Sequence, residues 1–299
     1  MTEVSAGAVA GAWRRWVRPF RVLDFLRRWP VIPVVVLVLL AMVAILAPVI
    51  ETQPPLKNNI RERLVPPFWA SEGNFDHILG TDNIGRDMWS RLVHGARISL
   101  IVAGVALVTG TIVGTALGLI AGYFGGLIDE VIMRFVDIWF GLPFILVAMI
   151  IAVMLTPSVN TMMGVLALLV WSSYVRYIRA EVLSIRERDY VSLARVAGAS
   201  TFRVLVRHIF PGVINTVLVI ATLRTGQLIL AEATLSFLGA GIPPPTATWG
   251  NMVADGREYL RDAWWVSALP AIAIFLIVMS LNFLGDWMRD RFDPRLRQL

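Results

Sequence analysis

The sequence predicts an all-α, polytopic membrane protein with six transmembrane helices. Three observations carry that expectation. Of the 299 residues, 57% are hydrophobic and only 16% charged, where a soluble domain carries about a quarter charged. The apolar residues gather into runs close to the roughly 20 residues that cross a bilayer. The arginines fall consistently on one side of those runs.

In chain order, residues 1–30 read as a cytoplasmic segment whose first twelve, small and polar, are expected to be disordered. Residues 31–50 carry no charge and form the first span. That run is too long for a cleaved signal and more spans follow, so it reads as an uncleaved anchor. An outer loop occupies 51–95. Its first part is studded with Pro54, Pro55, Pro66 and Pro67 and is expected to be irregular. Its second part, where Asp87 and Arg91 are four apart and Met88, Trp89, Leu92 and Val93 form a stripe, reads as a surface helix. The core, 96–288, holds the remaining spans at 98–124, 138–155, 158–175, 212–238 and 264–285. A charged cytoplasmic stretch, 180–211, lies between the fourth and fifth, and a cytoplasmic tail covers 289–299. A second outer loop, 239–263, opens with Pro243, Pro244 and Pro245.

With both termini inside, 18 of the 27 Lys and Arg residues lie on the cytoplasmic side, against 7 in the two outer loops. That bias predicts an N-in, C-in orientation. It also argues against nucleic acid as the reason for the net charge of +6, because the arginines cluster at membrane boundaries rather than on one soluble face.

Several classes of chemistry lack their residues. There is no cysteine, hence no disulfide framework and no thiolate metal site. The sole lysine, Lys57, follows Pro54-Pro55-Leu56 rather than a glycine-rich turn, so the chain has no phosphate-binding P-loop of its own. His77, His94 and His208 show no ligand spacing, and no metal site is expected. Met149, Met154, Met162 and Met163 read as apolar filler. A secondary transporter would carry relay residues in several spans, where only Glu232 and Asp137 qualify. A membrane-embedded enzyme would need a clustered nucleophile or acid–base pair, and none stands out.

Gly110, Gly114, Gly118 and Gly122 lie four apart in the second span and form a flat stripe, the signature of close helix packing. Asp137 is expected to pair with Arg134. In the cytoplasmic stretch, Tyr190, Leu193, Ala194 and Ala197 share one helical face. After Gly198 a second stripe begins with Phe202, Leu205, Val206 and Ile209. Ser200 is a suitable N-cap for that second helix, Gly198 permits a sharp bend, and Pro211 marks the return to the membrane. Two short amphipathic helices at an angle make a docking knob. Arg224 and Glu232 in the fifth span are eight residues apart on roughly one face and, at about 12 Å along the axis, do not pair directly.

The segment Asp189-Tyr190-Val191-Ser192-Leu193-Ala194-Arg195-Val196-Ala197-Gly198-Ala199-Ser200, followed by Pro211, resembles the EAA loop of ABC importer permeases. Ala194, Gly198 and Pro211 match in register, while Ser192 and Leu193 stand where that pattern has Glu and Ala. Three further segments narrow the likeness: Leu79 to Arg91, Leu238 to Pro245 with Trp249 to Met252, and Gly285 to Asp290 with Asp293-Pro294. Together they resemble the "C" permease of the dipeptide, oligopeptide and nickel transporter group.

The resemblance implies a type I ABC importer permease fold and no enzymatic activity in this chain. The implied partners are a homologous "B" permease, two ATPase subunits that bind the ATP and magnesium, an extracytoplasmic binding protein and the bilayer of the bacterial inner membrane. Asp189, Tyr190, Ser192, Leu193, Ala194, Gly198, Ala199, Ser200 and Pro211 would form the segment that couples to an ATPase. Asp82, Arg86, Asp87, Arg91 and Trp249 would face the binding protein. Arg224 and Glu232 would line the pathway or pair with the partner permease. A small peptide is the implied cargo, with nickel or another small solute as the alternative.

Overall fold

The computed structural model describes residues 30–292; the N-terminal segment expected to be disordered lies outside them. The described chain is helical throughout its membrane region. Helix α1, Val31–Ile50, is apolar all round and buries only Ala44 and Ala47, so most of its surface faces outward from the bundle. Helix α2, Met88–Phe124, has 37 residues, about 55 Å at 1.5 Å per residue. This is far longer than the roughly 30 Å hydrocarbon core, and its first turns extend beyond the apolar run.

That length corrects the outer-loop expectation. The stripe from Met88 to Val93 is no separate surface helix; it is the start of α2. Asp87 supplies the reason, since its carboxylate accepts from Ser90 N at 2.8 Å and caps the helix there.

The third span is also not as expected. Helix α3, Gly126–Gly141, and helix α4, Phe144–Met154, meet at 90°. Pro143 has no N–H to continue the ladder and forces Leu142 into an extended conformation (φ −95°, ψ 134°). Among the described residues, five helices are long and apolar enough to cross a membrane, and the bent pair can make a sixth.

Helix α5, Val159–Ile185, begins at Ser158, whose hydroxyl accepts from Thr161 N, and runs ten residues beyond the expected apolar limit. Arg176 and Arg179 are carried on this extension because α3 supplies carboxylates for both: Asp137 at 2.7 Å, and Asp129 at 2.5 and 2.6 Å. Asp137 thus pairs across helices with Arg176, not along its own helix with Arg134.

Helix α2 packs on α5 along the glycine stripe. A Cβ added at Gly110, Gly118 or Gly122 would stand 2.9, 2.9 or 2.7 Å from the Cβ of Val170, Ile178 or Val182, and one at Gly114 would overlap Trp171 O. Only hydrogen side chains let these backbones come so close.

A short helix α6, Asp189–Val196, precedes helix α7, Thr201–Phe237. The second cytoplasmic stripe therefore belongs to the same helix as the fifth span, and the two expected short helices reduce to one plus this extension. Residues Val204–Ile209 are π-helical. The widened turn falls just before Pro211, where a proline would otherwise clash with the preceding turn. The fold closes with α8, Trp249–Gly256, capped by Thr248, and α9, Trp265–Phe292.

Candidate functional site

The elbow between α6 and α7 is built by local capping chemistry. Helix α6 carries Asp189 in its first turn and Arg195 in its last, both favourable to the helix dipole. Its end is a Schellman motif: Gly198 N donates to Arg195 O and Ala199 N to Ala194 O, each at 3.0 Å. This requires the left-handed conformation found at Gly198 (φ +80°). Ser200 then caps α7, accepting from Arg203 N at 3.4 Å.

The elbow is clamped to the bundle. Val191, Val204 and Ile209 are buried beneath it. The five-residue spacing of the last two suits the π turn, whose repeat relates i to i+5. The Arg195 guanidinium lies 5.0 Å from the Tyr123 ring, and Arg186 Nη1 donates to Gly122 O at 2.8 Å, tying the elbow to the end of α2.

The stripe chosen by periodicity points outward. Leu193 is 68% exposed, and Tyr190, Ser192, Ala197, Gly198 and Ser200 are also exposed. Val196 and Phe202 add 87% and 76% exposure, so the elbow presents unsheltered apolar groups. Sequence periodicity found this outer face and missed Val191, the anchor, because the outward stripe is the more apolar of the two.

On the opposite end, polar residues form a largely buried knot. Asp82 accepts from Arg86 Nε at 2.5 Å and from the N–H groups of Ile84 and Arg86 at 3.0 and 2.9 Å. Arg86 and Arg91 both reach Asp255 of α8, at 3.3 and 3.5 Å, and Arg91 also lies 3.5 Å from Asp82. Burial pushes the Asp255 carboxyl up, against the pull of Arg91 and Arg86.

Beside this cluster, the Asp87 cap accepts from Thr52 Oγ1 at 2.9 Å and meets His77 Nδ1 at 2.9 Å, while His77 Nε2 meets Glu62 at 3.2 Å. Burial works against the charged imidazole, but the hydrogen bonds to Asp87 and Glu62 outweigh it and raise the His77 pKa. The same contact holds the Glu62 carboxyl below its usual value. Trp249 Nε1 donates to Leu92 O at 3.0 Å, and Trp265 Nε1 to Thr81 O at 3.1 Å.

These positions correct an expectation. Asp82, Arg86, Asp87, Arg91 and Trp249 are all buried and brace the outer end from within instead of facing a partner. Buried charges are tolerated only when paired, and the pairs here are internal. Asp255, His77, Glu62 and Thr52 complete the knot and carry no local sequence signal.

In the membrane, Glu232 is sealed in the packed interior, accepting from Ser99 Oγ at 3.2 Å and Ser236 Oγ at 2.8 Å. It lines no open path in this conformation. Arg224 is half-buried, and its guanidinium donates to Gln227 on the same helix.

A glycine-seamed bundle whose helices are long and apolar enough to cross a membrane defines an integral membrane protein. The chain belongs to the family of binding-protein-dependent transport system inner membrane components, whose pattern matches residues 114–298. It is 42% identical over 268 residues to a dipeptide transport system permease protein of Escherichia coli, covering 90% of this chain and 89% of that one. Similarity to a putative peptide transport system permease protein of Brucella suis is 40% over 266 residues (89% and 88%). A dipeptide transport system permease protein of Haemophilus influenzae is 36% identical over 271 residues (91% and 92%).

Proposed function

We propose that this chain is one of two permease subunits of an ABC importer for small peptides and forms half of the translocation pathway. A homologous permease completes the bundle, two ATPases bind and hydrolyse ATP with magnesium, and an extracytoplasmic binding protein delivers the peptide. The arginine bias supports an orientation with both termini in the cytoplasm. The peptide cargo rests on the relatives named above.

One observation carries the coupling role: Leu193, Val196 and Phe202 are exposed on an elbow otherwise fixed to the bundle. Exposed apolar groups on a rigid mount suit insertion into a partner's cleft. When the ATPases close on ATP, the elbow is displaced as a unit and the bundle switches its open side.

The test is ATP hydrolysis and peptide uptake by the co-expressed complex carrying Gly198→Asp. Nothing lies within 4 Å of a Cβ built at Gly198, so the subunit itself accommodates the side chain apart from the strained φ. Uptake is expected to fall at least about tenfold while the complex still assembles, since a carboxylate forced into an apolar contact costs more than the 1.4 kcal/mol that a factor of ten represents. Full uptake tightly linked to hydrolysis would remove the elbow from the coupling role.

A further inference from the structure

Several polar side chains of α7 are satisfied within the helix itself. Thr222, Thr225 and Thr234 each donate their hydroxyl to a carbonyl three or four residues earlier, at 2.8, 2.7 and 2.8 Å. Such back-bonding satisfies a hydroxyl without help from outside the helix. Arg224 and Gln227 are not closed off in this way.

Arg224 lies midway between Pro211 and Phe237, about 20 Å from each at 1.5 Å per residue. That places it at the middle of a membrane-spanning helix, directly after Thr222 and Leu223, which pack against Gly285 of α9. Arg176 and Arg179 on α5 hold Asp137 and Asp129, whereas among the described residues Arg224 holds no carboxylate. Its neighbour is the neutral Gln227 amide, whose oxygen accepts from Nη1. Glu232, the other charge of the segment, is sealed against Ser99 and Ser236. Most of the guanidinium's five donors are thus left for something outside the subunit. Arg224 is half-buried and Gln227 exposed, so the pair reaches the subunit surface.

We propose that Arg224 and Gln227 form a carboxylate-receiving site on the translocation pathway, taking the C-terminal carboxylate of a peptide in transit. This rests on the peptide-importer reading above. A guanidinium on a membrane-spanning helix is too costly to leave without water or an anion. Its planar fork fits a carboxylate through two parallel N–H donors, and the Gln227 amide keeps its NH2 as a further donor. The C-terminal carboxylate is the anion that every unmodified linear peptide shares, whatever its side chains, so one fixed cation serves cargo of varied sequence. A single half-open arginine also releases what it binds, as a pathway site must.

The chain contains no cysteine, so Gln227→Cys gives this subunit a single thiol within the assembled complex in membranes. Its modification is followed during ATP turnover with a sulfonate-bearing and a trimethylammonium-bearing methanethiosulfonate. The anionic reagent is expected to be favoured about tenfold through attraction to Arg224. The preference disappears when Arg224→Gln is added, and a saturating dipeptide slows the reaction. A thiol that neither reagent reaches, or a preference that survives without Arg224, would overturn the site.

The second measurement is uptake of a free-acid dipeptide relative to its C-terminal amide. That ratio is expected to fall about tenfold in Arg224→Gln and to be partly kept in Arg224→Lys. If Arg224→Gln instead releases the partner permease on purification, the arginine is an intersubunit bridge and the proposal fails. The expected thiol pattern in Gln227→Cys, found together with a wild-type complex that takes up no peptide, would leave the anion site standing and overturn the cargo.

Discussion

Asp82 accepts from three donors and faces two guanidinium groups while itself 1% exposed. Replacing it with Ala leaves Arg86 and Arg91 short of a partner, a loss of about 3–5 kcal/mol for a buried pair. Thermal denaturation of the purified complex should show a clear fall, whereas Asp255→Ala, at a carboxylate more than a third open to water, should show a smaller one. His77 gives the outer end a pH dependence. Its folded pKa lies above the ordinary 6.5, so its clamp between Asp87 and Glu62 contributes fully below 6.5 and is lost as pH rises through the raised value. Hydrogen exchange in residues 52–66 should therefore quicken with pH beyond the intrinsic base-catalysed rise, and His77→Gln should remove that excess. Several of these residues could be picked out in the sequence, but their role could not. A charge in an outer segment reads the same whether it meets water or another charge, and Asp255 is 169 residues from Arg86.

Between helices, spacing was more informative. Four glycines in register predicted a close seam, and α2 meets α5 along it. Gly114→Ala, whose methyl would overlap Trp171 O and press on Tyr174, should cost about 1–3 kcal/mol through overpacking. Gly104, with nothing within 4 Å, is the control on the same helix: Gly104→Ala should be neutral or stabilising by up to about 1 kcal/mol. Differential thermal stability of the two variants checks the pair. The bend at Leu142–Pro143 was hidden because hydropathy counts apolar atoms and takes no account of a missing N–H. The reach of α5 beyond its apolar run was hidden for the opposite reason. Its arginines looked like the end of a span until α3 was seen to neutralise them.

The whole subunit shows an unfinished outer surface. Ile112, Val153 and Phe135 are 64%, 81% and 64% exposed, on three different helices. Lipid can cover such faces, but a second permease is expected to cover part of them. Expressed without that partner, the chain should accumulate to a several-fold lower steady level, read by immunoblot against the co-expressed pair. Helix α7 adds a consequence of its own. It runs from Thr201 at the elbow, through the π-helical turn at Val204–Ile209, to Phe237, near α8 and the outer knot. A stiff rod cannot shift at one end and stay still at the other. If the elbow couples to an ATPase as proposed, a push at that end reaches the far side of the membrane without a relay of small rearrangements.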